Sequence, residues 1–336
     1  MTEDLTELHD ELRGVARDLL GKSGDDWRQI VDAGWPGLEV PESLGGADAS
    51  FMETAIVLQE IGRAAARNRF LGTALAVGAL TALASKESRD EMLGRVAAGT
   101  AVAFVADGFT VSRSSDGLHL SGRSEFVPDA EGAEHLLILA HDADGSVVLV
   151  ESAGVTVTPQ PVLDQTRALA VVTADAVPVT ESWIFSADPH AVVARLRDRA
   201  AVAVACDSLG LSEAMLAATV DYAKVRQQFG RPIGSFQAVK HACADMLVQI
   251  SVAQQLVRTA VSVLVAGHDA EVAASMAKSY ACGAAVDVAG KAMQLHGGIG
   301  YTWESGVHVY LKRAALNRSL FGSPASHRQR LAARYG

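Results

Sequence analysis

Residues that can hold a phosphate group occur together in the stretch at 221–245, which reads DYAKVRQQFGRPIGSFQAVKHACAD. Gly230 and Pro232 interrupt the helical pattern, so we predict a turn there, with the next helix beginning at Phe236. Arg226 and the free backbone N–H groups of that helix would then face an anion. A solvated loop whose arginines lie on the surface is the alternative, and this stretch alone does not decide between the two.

A second stretch at 294–304, QLHGGIGYTWE, follows a long helix rich in small residues and has glycines at three of four consecutive positions. Glycines this close together let the backbone approach a ligand. Gln294, at the predicted end of the helix, can form hydrogen bonds with a pyrophosphate or with the edge of an adenosine. The two stretches together favour a nucleotide-binding site.

The motifs RxxFG, then FQ with its glutamine seven residues after that glycine, then QxxGGxGY are similar to those of the acyl-CoA dehydrogenase family. These are flavoproteins, oxidoreductases that oxidise acyl-CoA thioesters. In the family, the same motifs reach across a subunit interface and hold the adenine and pyrophosphate half of the partner's FAD. The resemblance implies that the cofactor-binding residues here are Arg226, Phe229, Gln237, Gln294, Gly297 and Gly298.

Composition excludes several other classes. The formal net charge of −10 argues against nucleic acid as a partner, since backbone recognition needs a basic face. No apolar run reads as a membrane span, and the charged, amphipathic N-terminal segment does not resemble a secretory signal. Cys206, Cys243 and Cys282 lie far apart in helical patterns, so we predict buried thiols in a reducing cytoplasm, with neither disulfides nor a metal site.

The hydrophobic period changes twice along the chain, which predicts an α+β protein with three regions. Residues 1–100 are predicted as an N-terminal helical domain. Residues 101–185 carry short β-branched runs with turn punctuation, typical of a small antiparallel barrel or sandwich. Residues 186–336 are predicted as a helical bundle that carries the FAD-contacting loops. The resemblance implies the same order, the three-region acyl-CoA dehydrogenase architecture.

In the N-terminal region, apolar residues at helical spacing predict the buried face of the first helix. Trp35, in a segment that Pro36 and Pro41 interrupt, is interpreted as a core anchor. Ser50 is placed to cap the next helix, with Glu53 completing a capping box. The residues predicted to share the buried face of the first helix are Leu5, Leu8, Leu12, Val15, Ala16 and Leu19.

Several features of the family are missing from this sequence. The segments that cradle the flavin ring in typical members are not found in the β region. The glutamate that acts as base near the carboxy terminus is replaced by Phe321, and the alternative position on the helix before the RxxFG loop holds Ala200. The Asp-x-x-Arg pattern that accompanies CoA binding keeps Asp198 but has Ala201 in place of the arginine.

Two residues are candidates for a substitute base. Asp207 lies in an apolar helical run, where a carboxylate is costly to bury unless it is paired. Pairing with an arginine is therefore the competing interpretation, and we favour it. His327 lies in the segment that replaces the usual base, although a histidine would depart from family chemistry. His241 and His296 are interpreted as a surface residue and a loop-orienting residue.

The resemblance and its gaps together predict the shorter, non-catalytic subunit of a heteromeric acyl-CoA dehydrogenase, of the type found in actinobacterial steroid degradation. A larger catalytic partner would supply the ring-cradling segment and the base, act on an acyl-CoA, and pass electrons to an electron-transfer flavoprotein. Two alternatives stay open. One is a self-sufficient homo-oligomeric acyl-CoA dehydrogenase with a non-standard base, and the other is a non-enzymatic scaffold of the same fold.

Overall fold

The computed structural model describes residues 2–23 and 26–335. The α-helices are α1 (Thr2–Ser23), α2 (Trp27–Asp32), α3 (Phe51–Ala64), α4 (Phe70–Thr81), α5 (Glu87–Ala97), α6 (Pro189–Val225), α7 (Gln237–Val265), α8 (Glu271–His296), α9 (Val307–Ser319) and α10 (Pro324–Tyr335). The strands are β1 (Val102–Ser114), β2 (Gly117–Pro128), β3 (His135–His141), β4 (Val147–Glu151), β5 (Thr156–Pro159), β6 (Leu169–Pro178), β7 (Glu181–Trp183), β8 (Gln227–Gln228) and β9 (Arg231–Pro232). The predicted α+β order of helices, sheet and helices is confirmed.

By internal contacts the chain forms two compact units. The helical unit comprises Met1–Gly24, Ala55–Ala66 and Ala200–Gly336, and the sheet unit comprises Asp25–Thr54 and Arg67–Arg199. Each unit therefore combines segments that are distant in sequence. The residues predicted to contact FAD all belong to the helical unit.

The sheet unit is built on one seven-stranded sheet with the strand order β5-β6-β2-β1-β3-β4-β7. Neighbouring strands are antiparallel except β1 and β3, which are parallel with Val102 opposite His135. The sheet is therefore mixed, and the expectation of a purely antiparallel barrel or sandwich is corrected. Alternating apolar residues reveal a strand, but they do not specify the direction of its neighbour.

Helix α4 explains how the sheet unit buries its apolar residues. Every residue from Phe70 to Leu80 is buried, which is expected of a helix that is apolar on all sides. Thr73 donates a hydrogen bond to the Val102 carbonyl of β1 (3.3 Å), and the backbone N–H of Gly72 donates to Asp129 Oδ2 (2.7 Å). These bonds tie the helix to the sheet.

In the helical unit, two glycines let α3 and α6 approach closely. A Cβ on Gly62 would lie 1.9 Å from the Asp207 carbonyl oxygen, and a Cβ on Gly210 would lie 1.8 Å from the Gln59 carbonyl oxygen. Neither position tolerates a larger residue without a shift of a helix. The buried carboxylate of Glu60 accepts hydrogen bonds from Arg17, which attaches α1 to α3.

The local predictions for the N-terminal region are partly correct. Trp35 is buried at 2 % exposure, as predicted for a core anchor. The capping box is present, because the Ser50 hydroxyl accepts from the Met52 N–H (3.1 Å) and Glu53 accepts from the Ser50 N–H (2.9 Å). The predicted buried face of α1 is wrong in part: Leu8 and Val15 are about half exposed. The side chain of Leu5 lies outside the described residues.

Two helices, α6 and α7, are long and apolar enough to cross a membrane by length and composition, although the sequence was predicted to contain no such run. This is weak evidence for a span, because the core helices of globular proteins pass the same test. The apolar window of α6 is 78 % buried within the protein, as expected of a core helix. That of α7 is only 33 % buried.

Candidate functional site

The first motif folds into a sharp corner between α6 and α7. Gln227 pairs with Pro232 and Gln228 with Arg231, so the two residues between them form the turn of a very short hairpin. Phe229 (φ 52°) and Gly230 (φ 76°) both have positive φ, which is the requirement of a type I′ turn. Glycine accepts this conformation freely, whereas phenylalanine is strained in it.

Aromatic contacts hold the end of the corner. Phe236, the N-cap of α7, packs edge-on against Phe229 with 6.1 Å between ring centroids. The guanidinium of Arg231 lies 4.1 Å from the centroid of the Phe236 ring. Phe229 is nevertheless 91 % exposed, and Arg226 and Gln237 are also exposed. Helix α7 begins at Gln237, one residue later than predicted, and no side chain caps it. The corner therefore presents a guanidinium and a helix N-terminus to the exterior.

The second motif forms the turn at the end of α8. Gly297 takes a conformation (φ 64°, ψ −144°) that other residues rarely adopt, and a Cβ on Gly300 would lie 2.8 Å from the Met293 carbonyl oxygen. Gly297 and Gly298 are exposed, and a Cβ on either would meet no atom within 4 Å. Gln294 is exposed on the last turn of the helix. The backbone at these two glycines is thus open to a ligand.

Tyr222 brings the two motifs to the same end of the helical unit. Its ring stacks on that of His296 with 4.5 Å between centroids, and its hydroxyl donates to the His296 carbonyl (3.3 Å). The Nδ1–H of His296 donates to the Ala292 carbonyl (2.8 Å), which agrees with its predicted role of orienting the loop. Since Tyr222 is one turn before Arg226 and His296 directly precedes Gly297, the corner and the glycine turn are neighbours.

The arrangement fits a phosphate-containing ligand. It combines an exposed arginine, an uncapped helix N-terminus and an open glycine backbone, and each of these recognises anionic oxygen. These groups are exposed on the surface of the described part of the chain. The six predicted cofactor contacts stay a prediction. Because the residues are exposed, a phosphate-containing ligand bound to them could also contact a second chain.

Asp207 is completely buried and bound on both oxygens. Arg313 donates from Nε to Oδ1 (3.0 Å) and from Nη2 to Oδ2 (2.5 Å), and Asn317 donates to Oδ1 (2.6 Å). Arg313 itself is 1 % exposed and also donates to the Ala66 carbonyl (3.0 Å). The structure therefore agrees with the prediction that an arginine pairs with Asp207.

His327 is also buried, at 2 % exposure. Its Nδ1 lies 3.2 Å from the Ser275 hydroxyl and its Nε2 lies 3.0 Å from the Phe321 carbonyl. A carbonyl only accepts, so Nε2 carries the proton and Nδ1 accepts from the serine. Burial lowers the pKa of His327, which keeps the ring neutral. Nε2 holds the turn between α9 and α10 through Phe321, and Nδ1 bonds to Ser275 on α8, so both nitrogens are engaged.

Comparisons with known proteins agree with this geometry. The acyl-CoA dehydrogenase N-terminal domain matches residues 3–100, and the acyl-CoA dehydrogenase C-terminal domain matches residues 191–336. Acyl-CoA dehydrogenase IpdE2 of Mycolicibacterium smegmatis is 32 % identical over 98 % of this chain and 94 % of its own length. The chain belongs to the acyl-CoA dehydrogenase family. The predicted family is therefore confirmed, and FAD is the cofactor of that family.

Two further relatives extend the comparison. Acyl-CoA dehydrogenase IpdE2 of Mycobacterium tuberculosis is 35 % identical over 91 % of this chain and 85 % of its own length. A solved structure of a variant of the steroid acyl-CoA dehydrogenase Tcur3481–Tcur3483 is 28 % identical and superimposes with a TM-score of 0.88 over 98 % of both chains.

The positions that the resemblance predicts for a base and for CoA contacts hold apolar or engaged residues in this chain. Phe321 is half-buried in a positive-φ turn, and Ala200 is buried. Arg199, beside the position where the Asp-x-x-Arg pattern is broken, is bound bidentately to Glu39, with Nη1 2.9 Å from Oε2 and Nη2 2.5 Å from Oε1. Asp198 is 3 % exposed.

The segment that the resemblance predicts to lie at the flavin ring contains a bulge of β2. Phe126 there has a positive φ (56°), and the register with β6 shifts between Ser124 and Val127. The Phe126 N–H donates to Gln160 Oε1 (2.7 Å). This backbone donor is thus engaged within the chain, whereas Arg226 and Gln237 of the corner are exposed.

Three residues that organise the site were not singled out from the sequence. The sequence gives only a weak indication that Tyr222 contributes to the site, namely its position four residues before Arg226 on the same helix. Lys278 has a clearer one, because it is a cation within the run of small residues AASMAKSYACGAA. It is fully buried and donates to the Asn317 carbonyl at the end of α9 (2.8 Å), and burial lowers its pKa. Arg313 has no local signal.

Proposed function

We propose that this chain is a subunit of a heteromeric, FAD-dependent acyl-CoA dehydrogenase and that it completes the cofactor site of a larger catalytic partner. The observation that supports this most strongly is the contrast between the outward-facing phosphate-binding corner and the engaged base candidates. The chain displays groups suited to the adenine and pyrophosphate half of FAD. Its own bulge in β2 and its Phe321 turn do not provide the ring site or the base.

Arg226 has the central role in this proposal. Its guanidinium neutralises pyrophosphate charge through a charge-assisted hydrogen bond, worth about 1.5–3 kcal/mol. The N-terminus of α7 adds backbone N–H donors and a favourable dipole. Gly297 and Gly298 let the backbone come close to the ligand, and Gln294 binds its adenosine edge. These residues bind and orient the cofactor, and none of them transfers a proton.

The reaction of the complex is α,β-dehydrogenation of an acyl-CoA thioester. FAD, when bound, supplies the hydride acceptor. The partner's carboxylate removes the α-proton, and an electron-transfer flavoprotein takes the electrons from the complex. A steroid-derived or similarly bulky acyl group is the proposed substrate class, supported by the similarity to the steroid acyl-CoA dehydrogenase Tcur3481–Tcur3483. The complex, and not this chain alone, is the active enzyme.

The proposal is tested with Arg226→Ala in the complex with a catalytic acyl-CoA dehydrogenase subunit from the same genome. Losing the charge-assisted bond should weaken FAD retention roughly ten- to hundredfold, measured as flavin per complex after dialysis. Lys224→Ala is the matched control, because this exposed cation is close by in sequence but is paired with Asp221 (3.0 Å). It should retain flavin as the wild type does.

A different result would contradict the assignment. If Arg226→Ala left the flavin content unchanged and abolished turnover alone, Arg226 would act on the substrate. If both variants lost flavin equally, general positive charge and not a specific contact would hold the cofactor. The scaffold alternative predicts that neither variant changes flavin binding or turnover.

A further inference from the structure

A cavity of about 310 Å³ lies in the sheet unit, at the connection between β5 and β6. Residues 159–162, 164, 165 and 167–169 form most of its lining, together with Arg67 before α4 and Glu131 after β2. All of these residues belong to the sheet unit. None of the six predicted FAD contacts lines the cavity, so it shares no residue with the corner.

The buried carboxylate of this cavity is that of Asp164, which is 2 % exposed. Its Oδ1 accepts hydrogen bonds from the backbone N–H (2.9 Å) and from the hydroxyl (2.7 Å) of Thr166. Its Oδ2 is also buried, and it has no hydrogen-bond partner among the described residues. Because a buried carboxylate oxygen without a donor costs free energy, a donor that enters the cavity from outside the chain would stabilise it.

Backbone hydrogen bonds fix the wall that carries this carboxylate. The Gln160 N–H donates to the Leu169 carbonyl (2.8 Å), and the Asp129 N–H donates to the Ala168 carbonyl (2.9 Å). Both ends of the connection are therefore attached to the structure beside them. Asp164 is held in place between these two attachments, so its Oδ2 cannot easily turn away to reach solvent.

The ionisable side chains of the lining have both signs of charge. Arg67 and Glu131 are exposed, whereas Arg167 is 9 % exposed. Together with Asp164, these side chains have formal charges that sum to zero. A lining of this type matches a ligand that carries both a positive and a negative group better than it matches a simple anion or a simple cation.

Aliphatic side chains form much of the remaining lining, namely those of Pro159, Pro161, Val162 and Leu169. Leu163, between two lining residues, is 83 % exposed. Apolar side chains around a few polar groups are typical of a small-molecule site. The ligand is therefore expected to have an aliphatic part in addition to its two charges.

We propose that this cavity binds a small aliphatic amino acid. The ammonium group of the ligand donates to Asp164 Oδ2, its carboxylate faces the guanidinium groups of Arg67 and Arg167, and its side chain lies against the aliphatic lining. This inference does not rest on the proposed function, because it uses residues of the sheet unit alone.

The test is isothermal titration calorimetry of L-leucine into the full-length chain. We expect saturable binding of one leucine per chain. Isoamylamine lacks the carboxylate of leucine, and isocaproate lacks its ammonium group. Each should bind at least roughly tenfold more weakly than leucine, since each loses one charge-assisted contact.

Asp164→Asn tests the ammonium contact. The amide keeps an oxygen for Thr166 but removes the negative charge, so leucine binding should weaken roughly ten- to hundredfold. Asp175→Asn is the matched control, with the same chemical change at an exposed position of β6 outside the cavity, and it should bind leucine as the wild type does. Arg67→Met, a second variant at an exposed position, should weaken binding roughly two- to fivefold. The far-UV circular dichroism of each variant should match the wild type.

Several results would overturn the inference. If leucine gave no saturable heat at up to about 10 mM, water alone would occupy the cavity. Isocaproate that bound as tightly as leucine, or an equal loss of binding in both aspartate variants, would exclude the contact with Asp164. Leucine binding that riboflavin abolished would assign the cavity to a flavin ring. Arg226→Ala should leave leucine binding unchanged, so each proposal can fail while the other stands.

Discussion

Replacing Asp207 with asparagine removes the negative charge that faces the Arg313 guanidinium in the core of the helical unit. The side chain keeps its size, so packing changes little. Arg313, 1 % exposed, is left without the carboxylate that receives two of its hydrogen bonds. The amide also replaces an oxygen acceptor by a donor that faces the same guanidinium.

The expected cost follows from this geometry. Removing one partner of a buried ion pair costs about 3–5 kcal/mol, because the remaining charge stays buried. We therefore expect Asp207→Asn to lower the free energy of unfolding by about that amount. Arg313→Met should cost a similar amount, since it leaves a buried carboxylate. The double variant Asp207→Leu/Arg313→Met should cost less than the sum of the single variants, because both charges are removed together.

The assay is urea unfolding followed by far-UV circular dichroism, together with turnover of the complex with its partner. Asp207→Asn should lower the unfolding midpoint, and the complex that stays folded should turn over at the wild-type rate. The reverse pattern would refute the reasoning. If Asp207→Asn were as stable as the wild type but inactive, Asp207 would be the base and the homo-oligomeric alternative would gain support.

Three further predictions concern stability and thiol reactivity. The pKa of His327 is lowered in the folded state, so the unfolded chain takes up the proton first and stability is lost as the pH falls below about 6.5. Between pH 7.5 and 5.5, the urea midpoint of His327→Gln should therefore fall by less than that of the wild type. An equal fall in both proteins would contradict this. Gly62→Ala should lower the thermal midpoint, since its Cβ would clash with α6. In Gly283→Ala the new Cβ would meet no atom within 4 Å, so this variant should keep the wild-type midpoint or raise it, with a gain in the free energy of unfolding of up to about 1 kcal/mol. Of the three cysteines, half-buried Cys243 should be the first to react with a thiol reagent. Burial raises the pKa of all three thiols, but only Cys206 and Cys282 are fully enclosed. Equal rates for all three thiols would contradict this.

The sequence predicted features that depend on local chemistry. Gly230 and Pro232 located the corner, since glycine accepts the positive φ of a turn and proline disrupts a helix interior. Ser50 with Glu53 located the start of α3. The glycines after His296 marked the second motif for the same reason. These signals lie within a few residues of the structure that they specify, so no tertiary information is needed.

Features that depend on distant contacts were not predictable in the same way. Arg313 pairs with Asp207 across 106 residues of sequence, and nothing near either residue identifies the other. The parallel pairing of β1 and β3 leaves no mark on the alternation of either strand. Leu8 has the spacing of a buried residue but is half exposed, because apolar periodicity alone does not show which residues of a helix reach the core.

The most direct test of the central claim is the flavin absorbance and mass of this chain, purified alone and then co-expressed with a catalytic acyl-CoA dehydrogenase subunit from the same genome. We predict that the chain alone carries no flavin and that the co-expressed pair is a larger, yellow complex, bleached by its acyl-CoA substrate. A yellow homo-oligomer of this chain alone that an acyl-CoA bleaches would contradict the account, because the chain would then contain a complete redox site.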